Sequence, residues 1–161
     1  MATNIFLKFT NYGNSSLAIK GNGTTKGFEG AVQANSLTWS VEQTLNIGSQ
    51  SSGAGAGKVT FNDLHFTKNV DATSPIFFQA LCSGTPFQFV DVSFVVGGAT
   101  TASFRLKLVA IKSIDGTAGA DAPAEDIALE YGGTVWTVGQ ATGGWNRVKN
   151  VSDTNLATVI S

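Results

Sequence analysis

The chain has 161 residues, enough for one domain with a sizeable core, and only 13% of them are charged, against roughly 25% in an average soluble domain. The formal net charge is −1 and the Lys and Arg residues are dispersed, which argues against nucleic-acid binding because no basic face is available. A soluble monomer normally keeps its surface hydrated with charged side chains, and this chain has few of them beside 11 Phe and 19 Gly. We therefore expect other subunits to cover part of its surface.

The N-terminal residues lack a basic region before their short apolar run, so the sequence predicts no signal peptide. No stretch approaches the ~20 apolar residues of a membrane span, and we expect no stable membrane insertion. Cys82 is the single cysteine, which excludes a disulfide framework and a thiolate metal cluster. We therefore expect synthesis in the cytoplasm and exit only through a dedicated apparatus.

Alternation of apolar and polar residues predicts a mainly β chain. The first predicted strand covers residues 3–10, and the clearest alternation runs over 37–45, where Trp39 is predicted to face the core. An alternative is that Trp39, Trp136 and Trp145 line a sugar-binding surface. The remaining strands are predicted at about 58–68, 86–97, 104–110, 126–138 and 145–151.

The apolar parity changes within the strands predicted at 58–68, 86–97 and 126–138. Each change indicates a β-bulge that bends the strand, or burial of both faces at a subunit contact. Over 104–110 the parity is constant, and Leu108 and Ala110 are predicted to share the apolar face of Phe104. About seven curled antiparallel strands are typical of a sandwich or barrel.

One short helix is predicted between Ser74 and Gly84. Ser74 is a suitable N-cap, Pro75 suits the first helical position, and Gly84 can end the helix in the left-handed conformation. Phe77 and Leu81 form one apolar stripe, while Phe78 and Cys82 form a second, on which Cys82 is predicted to be a buried small apolar residue.

The Gly-rich stretch 48–57 has the wrong spacing for a phosphate-binding loop, which would need Gly at 52 and Ser or Thr at 59, where Ser52 and Val59 stand. A strand follows it, so no helix N-terminus is available to hold phosphate. We interpret it as an extended hairpin loop, long enough to contact another molecule.

No catalytic, metal or cofactor site is predicted, and we do not expect an enzyme. His65 shares a strand face with Asp63 but has no second histidine at metal-binding spacing and no neighbouring nucleophile. The acidic residues around Pro123 are interpreted as a solvated loop and not a calcium site. They are Asp121, Glu125, Asp126 and Glu130.

The strand-to-helix junction Phe66-Thr67-Lys68-x-x-Asp71-x-x-Ser74-Pro75, preceded by Gly57-Lys58-Val59, resembles the haemolysin-coregulated protein (Hcp) family of bacterial type VI secretion systems. Pieces in matching order are Ile5–Lys8, Trp39–Val41, the loop 48–57 and the ending Gly144-Trp145-Asn146-x-x-x-Asn150. The resemblance covers most of 3–151, while segment 11–27 and the tail 152–161 depart from it.

The resemblance implies a single domain, 1–161. It would be an antiparallel β-barrel of two curled sheets over about 3–151, with one short flanking α-helix and a C-terminal tail at 152–161. The family's subunits form homo-hexameric rings that stack head to tail into a tube inside a contractile sheath. A spike protein tips the tube, effector proteins can ride in its lumen, and the assembly is expelled from the bacterium toward target cells.

In this reading the junction residues form a scaffold and the Gly-rich loop stacks one ring on the next. The scaffold candidates are Thr67, Lys68, Asp71, Ser74, Pro75 and Gly84. The stacking candidates are Gly48, Ser49, Gln50, Ser51, Ser52, Gly53, Ala54, Gly55, Ala56 and Gly57. The alternative function is that of a small all-β carbohydrate-binding module or adhesin.

Overall fold

The computed structural model describes residues 2–13, 17–45, 56–119 and 121–159. These ranges contain eleven strands and one helix. In chain order they are β1 (Asn4–Asn11), β2 (Val32–Ala34), β3 (Ser36–Thr38), β4 (Val41–Leu45), β5 (Ala56–Phe61), β6 (Leu64–Asn69), α1 (Ser74–Ser83), β7 (Phe87–Val96), β8 (Ala99–Thr117), β9 (Ala124–Val138), β10 (Ala141–Asn146) and β11 (Val151–Ser152).

All strand pairings are antiparallel, as predicted. The main sheet runs in the order β11-β10-β9-β8-β7-β1-β2, with β6 also paired to β9 and β3 paired to β6. Strands β4 and β5 form a separate two-stranded sheet.

The main sheet is strongly curled, because the consecutive strands β2 and β3 pair with strands at its two opposite ends. β2 pairs with β1, whereas β3 pairs with β6, and Asn35 between them donates its N–H to the carbonyl of Thr67 at 2.7 Å. The prediction of curled antiparallel sheets with one short helix is confirmed. Within the described residues, however, no continuous ladder closes the sheet into a full barrel.

The inside of the curl is filled by apolar side chains, and α1 packs against it through Phe77 and Ala80. The Phe9 ring lies 5.1 Å from both the Phe77 and Phe87 rings in edge-to-face contact, a favoured aromatic geometry. A ten-residue helix is marginal alone, so this contact stabilises it. In the described part of the chain, no helix has both the length and the apolar character needed to cross a bilayer.

Residues 28–31 pack on the other face of β1, whereas Leu17 and Ile19, in the segment 11–27 that departs from the resembled family, pack in the main core. Phe28 stacks on Phe6 with ring centroids 4.6 Å apart, beside Ala31 and Val95. The curled sheet therefore buries apolar residues on both faces in this region.

The strand predicted over 37–45 is two strands with different partners. β3 ends at Thr38 on β6, and β4 begins at Val41 on β5. Trp39 between them is 43% exposed and Val41 is 50% exposed, so the prediction that Trp39 faces the core is wrong. The alternating pattern continues across the break, but the two halves belong to different sheets.

Other parity changes have different causes. Over 58–68 the change reflects a break at Asn62 and Asp63 between β5 and β6, and not a bulge. Over 86–97 the predicted bulge is confirmed, because the register between β1 and β7 shifts so that Gln88 is skipped.

Strand β8 contains a parity change that the sequence pattern did not predict. Leu108 has a positive φ of 51° and is exposed together with Ala110, whereas Lys107 and Val109 are buried. The prediction that Leu108 and Ala110 face the core is therefore wrong, because the left-handed residue reverses the alternation. The strand predicted at 145–151 is also interrupted, since β10 ends at Asn146 and β11 begins at Val151.

Two helix predictions need correction. The helix begins at Ser74 with Thr73 as N-cap residue, so Ser74 is not the cap. Cys82 is exposed and Phe78 is 61% exposed, because α1 packs on the core through the stripe of Phe77 and not through the neighbouring one. Pro75 in the first turn is confirmed, as is Gly84 at φ 66°, whose N–H donates to the last turn of the helix.

Candidate functional site

The predicted junction residues meet in one buried ionic cluster. Lys68, on β6, is 1% exposed, and its Nζ lies 2.6 Å from Glu125 Oε1 and 3.0 Å from Asp71 Oδ1. Glu125, on β9, is itself only 7% exposed. The Lys68 ammonium also lies 5.6 Å from the centre of the Phe77 ring, so the cluster links β6 and β9 to the helix.

Ser74 and Asp71 complete this cluster through hydrogen bonds. The Ser74 hydroxyl donates to Glu125 Oε1 at 2.7 Å and accepts from Lys68 Nζ at 3.1 Å and the Asp71 N–H at 3.0 Å. Asp71 accepts from the Thr73 N–H at 2.8 Å and from its hydroxyl. Burial raises the pKa of Asp71, but the hydrogen bonds from Thr73 and Lys68 outweigh it, and the pKa lies below its ordinary value.

Thr67 ties the same junction to β3, because its hydroxyl lies 2.6 Å from the Ser36 hydroxyl. The cluster holds a cation with two carboxylates and two hydroxyls, each bonded to at least one other member, which suits a fixed support more than a reacting group. Sequence reasoning missed Glu125, which it assigned to a solvated loop. A signal was available, since Glu125 lies two residues before Ile127 and so shares the strand face of the apolar alternation that begins there.

A second ionic cluster joins β8 to the C-terminal tail. Lys107 is 1% exposed, and its Nζ lies 3.4 Å from Asp153 Oδ2. Arg105 makes a bidentate contact with Asp91 at 2.7 and 2.9 Å and donates to the Leu156 carbonyl at 2.6 Å. These contacts hold residues 153–156 against the sheet.

All three tryptophans line one cleft, which we call the aromatic pocket. It is lined by Trp39, Phe61, Phe104, Tyr131, Trp136 and Trp145, together with the aliphatic residues Val41, Leu64 and Leu106, and has a volume of about 310 Å³. Trp136 stacks on Phe104 with ring centroids 3.8 Å apart. The sugar-binding alternative placed these three tryptophans on one surface, and the structure brings them together although they lie on different strands or between strands.

His65 and Asp63, which share a predicted strand face, do not contact each other in the structure. His65 Nδ1 lies 3.2 Å from Asp126 Oδ1, with both side chains 43% exposed, while Asp63 pairs instead with Lys112 at 3.1 Å. The interpretation of Glu125, Asp126 and Glu130 as loop residues is wrong, because all three lie in β9. Among the described residues, no group of three or more His, Cys, Asp or Glu side chains is placed to hold a metal ion.

Most of the predicted stacking loop lies outside the described residues. This applies to Gly48 through Gly55. Ala56 and Gly57 begin β5, and Ala56 pairs with Leu45 of β4. The paired strands β4 and β5 thus flank the loop at its base.

Comparison with known proteins shows which family the chain belongs to. The family model described as type VI secretion system effector, Hcp, matches residues 6–138. No curated protein matches the chain.

Solved structures share the fold. A structure described as that of a type six secretion system protein has a TM-score of 0.82 at 19% identity, covering 94% of this chain and 100% of that chain. Hcp1 from Salmonella typhimurium has a TM-score of 0.79 at 19% identity, with 95% and 100% covered. The secreted protein Hcp3 from Pseudomonas aeruginosa has a TM-score of 0.64 at 18% identity, with 90% and 98% covered. Because the family model spans most of the sequence, the chain belongs to the Hcp family of type VI secretion system effectors.

Proposed function

We propose that this chain is the subunit of the inner tube of a type VI secretion system. It assembles into hexameric rings that stack head to tail, is expelled with a spike by a contractile sheath, and carries effectors in its lumen. The observation that carries the proposal is the Hcp family match over residues 6–138, on a chain whose fold follows solved Hcp structures over nearly its whole length. The role is structural and not enzymatic.

The composition of the surface supports the proposal that this protein assembles with copies of itself. Large apolar side chains are exposed on several elements, although charged residues make up only 13% of the chain. A ring that also stacks needs two kinds of heterologous contact, one that closes and one that repeats along an axis. The exposed residues that could be covered by such contacts are Trp39, Val41, Val70, Phe78, Leu108, Val138, Val148, Val151 and Leu156.

Within a ring, we place the contact on the outer face of α1 and on neighbouring strand edges. Phe78 is 61% exposed on that face beside Cys82. At the sheet edge, β11 exposes Val151. Burial of such side chains between subunits is favourable because apolar surface leaves water.

This contact can be tested with the single cysteine. If α1 lies in the ring contact, maleimide labelling of Cys82 will slow as protein concentration rises and rings form. A control carries Cys82→Ser and Lys26→Cys, which moves the thiol to an exposed turn away from the exposed apolar residues named above, and its labelling should not change with concentration. Equal labelling of Cys82 in rings and in monomers would remove α1 from the interface.

Between rings, we place the contact on the loop 48–57, whose glycines let backbones approach closely. Deleting residues 50–55 should leave rings intact by size-exclusion chromatography with light scattering, while tubes and secretion are lost. The control removes 157–161 from the tail and should retain both. Normal tubes after the loop deletion would contradict the assignment of this loop.

The carbohydrate-binding alternative makes a different prediction for the same purified protein. A tube subunit should give a ring of six whose population rises with concentration by mass action. A carbohydrate-binding module should remain a monomer at every concentration and bind sugars. Light scattering over a concentration series, with a glycan array, separates the two.

A further inference from the structure

The sequence contains a single Asn-Gly dipeptide, and it lies in the segment 21–31 that precedes β2. The two residues are Asn22 and Gly23, and Asn22 is exposed. An asparagine followed by glycine is chemically labile, because glycine has no side chain to hinder attack of its backbone nitrogen on the preceding side-chain amide. The conformation of this segment therefore decides whether Asn22 reacts.

Backbone hydrogen bonds hold the dipeptide in one conformation. The Gly23 N–H donates to the Ala31 carbonyl at 3.0 Å, and the Gly23 carbonyl accepts from the Gly30 N–H at 3.1 Å. On the other side of Asn22, the Gly21 N–H donates to the Gly30 carbonyl at 2.8 Å. The nitrogen that would have to lose its proton and attack is thus already a hydrogen-bond donor, and its peptide group is held in place.

Close packing of the backbone also fixes this segment. A Cβ on Gly21 would lie 2.2 Å from the Ala31 carbonyl oxygen, and one on Gly23 would lie 2.5 Å from that of Phe28. Phe28 is in turn anchored by its ring, which stacks on the Phe6 ring with centroids 4.6 Å apart. The closed segment therefore depends on close backbone contact at both glycines and on one aromatic stack.

We propose that Asn22 is a modification site that the closed segment protects and that converts irreversibly to aspartate and isoaspartate once the segment opens. In the open segment, the Gly23 nitrogen gives its proton to a base in the solvent and bonds to Asn22 Cγ, and the side-chain amide nitrogen leaves as ammonia. Water then opens the resulting succinimide. Cleavage of the bond between the nitrogen and Cγ gives aspartate, whereas cleavage of the bond between the nitrogen and the main-chain carbonyl carbon gives isoaspartate.

The isoaspartate product keeps the segment from closing again. It adds a methylene group to the main chain between Gly21 and Gly23, where hydrogen bonds and close contacts with residues 28–31 fix the spacing. A chain whose segment has opened is thereby marked permanently. The proposal does not rest on the tube function, because every contact that carries it lies within one chain.

Peptide mapping by mass spectrometry measures deamidation of Asn22 while the full chain is incubated at mildly alkaline pH. Deamidation should be at least about tenfold slower in the folded protein than in a capped Gly-Asn-Gly-Thr peptide, because only the open fraction reacts. Urea above the unfolding transition should remove this difference, and the protection should be the same at every protein concentration. Equal rates in the folded protein and the peptide, or protection that grows with concentration because neighbouring copies cover the segment, would overturn the proposal.

Variants show whether the aromatic stack keeps the segment closed. Phe28→Ala should speed deamidation roughly tenfold, because loss of the ring contact with Phe6 raises the open fraction. Phe28→Leu keeps an apolar side chain and should speed it by a smaller factor, and it serves as the test if the alanine variant does not fold. The control Phe78→Ala removes an exposed ring on α1 and should deamidate like the parent protein. Unchanged deamidation in every Phe28 variant that folds would overturn the proposal.

Trypsin tests the consequence of the modification, because Lys20 and Lys26 flank Asn22 and are both exposed. Protein that is deamidated in urea, refolded and purified as the isoaspartate form should be cut at these lysines at least about tenfold faster than the parent protein. Asn22→Gln taken through the same treatment controls for other damage and should resist like the parent. Asn22→Asp adds the charge without the methylene group and should also resist. Equal resistance of the isoaspartate form would show that the segment closes again and would overturn the proposal.

Discussion

Lys68 is a charged residue at a depth where charged residues are seldom found without partners. Its position is stable because Glu125, Asp71 and Ser74 all bond to its ammonium within 3.1 Å. Removing one member of a buried pair leaves the other charge uncompensated, which costs more than the pair contributes.

Lys68→Met should therefore lower the free energy of unfolding by about 3 to 5 kcal/mol, since the buried Glu125 carboxylate is left without its cation. Urea denaturation measures this change. The matched control is Lys112→Met, which breaks the Lys112–Asp63 pair at 3.1 Å, where Lys112 is 57% exposed. It should cost about 1 kcal/mol or less, and similar losses in both variants would contradict a special role for the buried cluster.

The lowered pKa of Asp71 predicts that the free energy of unfolding falls as the solution becomes more acidic. Its pKa is lowered in the folded protein from the ordinary value of 3.8, so its contribution is fully present above that value and is lost as pH falls through the lower folded pKa. Asp71→Asn should therefore show a shallower loss of unfolding free energy from about pH 5 to pH 3 than the parent chain. Urea denaturation at several pH values checks this, and parallel pH curves would show that Asp71 is not a source of the acid sensitivity.

At the level of single elements, local signals predicted the kind of element better than its partners. The signals around α1 placed the helix to within a residue, because capping and proline preferences act within one turn. The pattern over 37–45 predicted extended structure correctly but gave one strand where there are two. The point of the break depends on which strand lies alongside, which a local pattern does not contain.

Strand β10 offers a sharp test of how closely the tail packs on the sheet. A Cβ on Gly144 would lie 2.0 Å from the Asp153 carbonyl oxygen, whereas one on Gly143 would meet nothing within 4 Å. Gly144→Ala should therefore displace the tail and cost about 1 to 3 kcal/mol in urea denaturation, as overpacking does. Gly143→Ala should be nearly neutral, and equal effects of the two substitutions would show that the tail does not lie against β10.

At the level of the whole molecule, contacts between distant parts of the chain decide which charges are buried. Lys107 lies in the middle of β8, and its 1% exposure depends on a partner in the tail, Asp153. Arg105 likewise holds the Leu156 carbonyl. The tail therefore belongs to the fold, although it extends past the part of the sequence that resembles the family.

Removal of residues 153–161 should destabilise the protein by a few kcal/mol, because Lys107 loses its buried partner. Removal of 157–161 alone keeps Asp153 and the residue that Arg105 contacts and should leave thermal unfolding nearly unchanged. Calorimetry of the two truncated chains measures the difference. A melting temperature that is equal in both would show that Asp153 does not stabilise Lys107.

The sequence by itself determined the class of the fold, the helix that ends at Gly84, and membership of the Hcp family. Each of these depends on residue propensities, capping residues or short motifs, which are local properties of the chain. It also brought together the junction residues Lys68, Asp71 and Ser74, which are close in sequence. Only the tertiary structure decided that Glu125 completes their cluster, that Leu108 and Cys82 face outward, and that three tryptophans share one pocket. Those outcomes depend on strand pairing and on a positive φ at one residue, and pairing joins positions far apart in the chain that no local pattern connects.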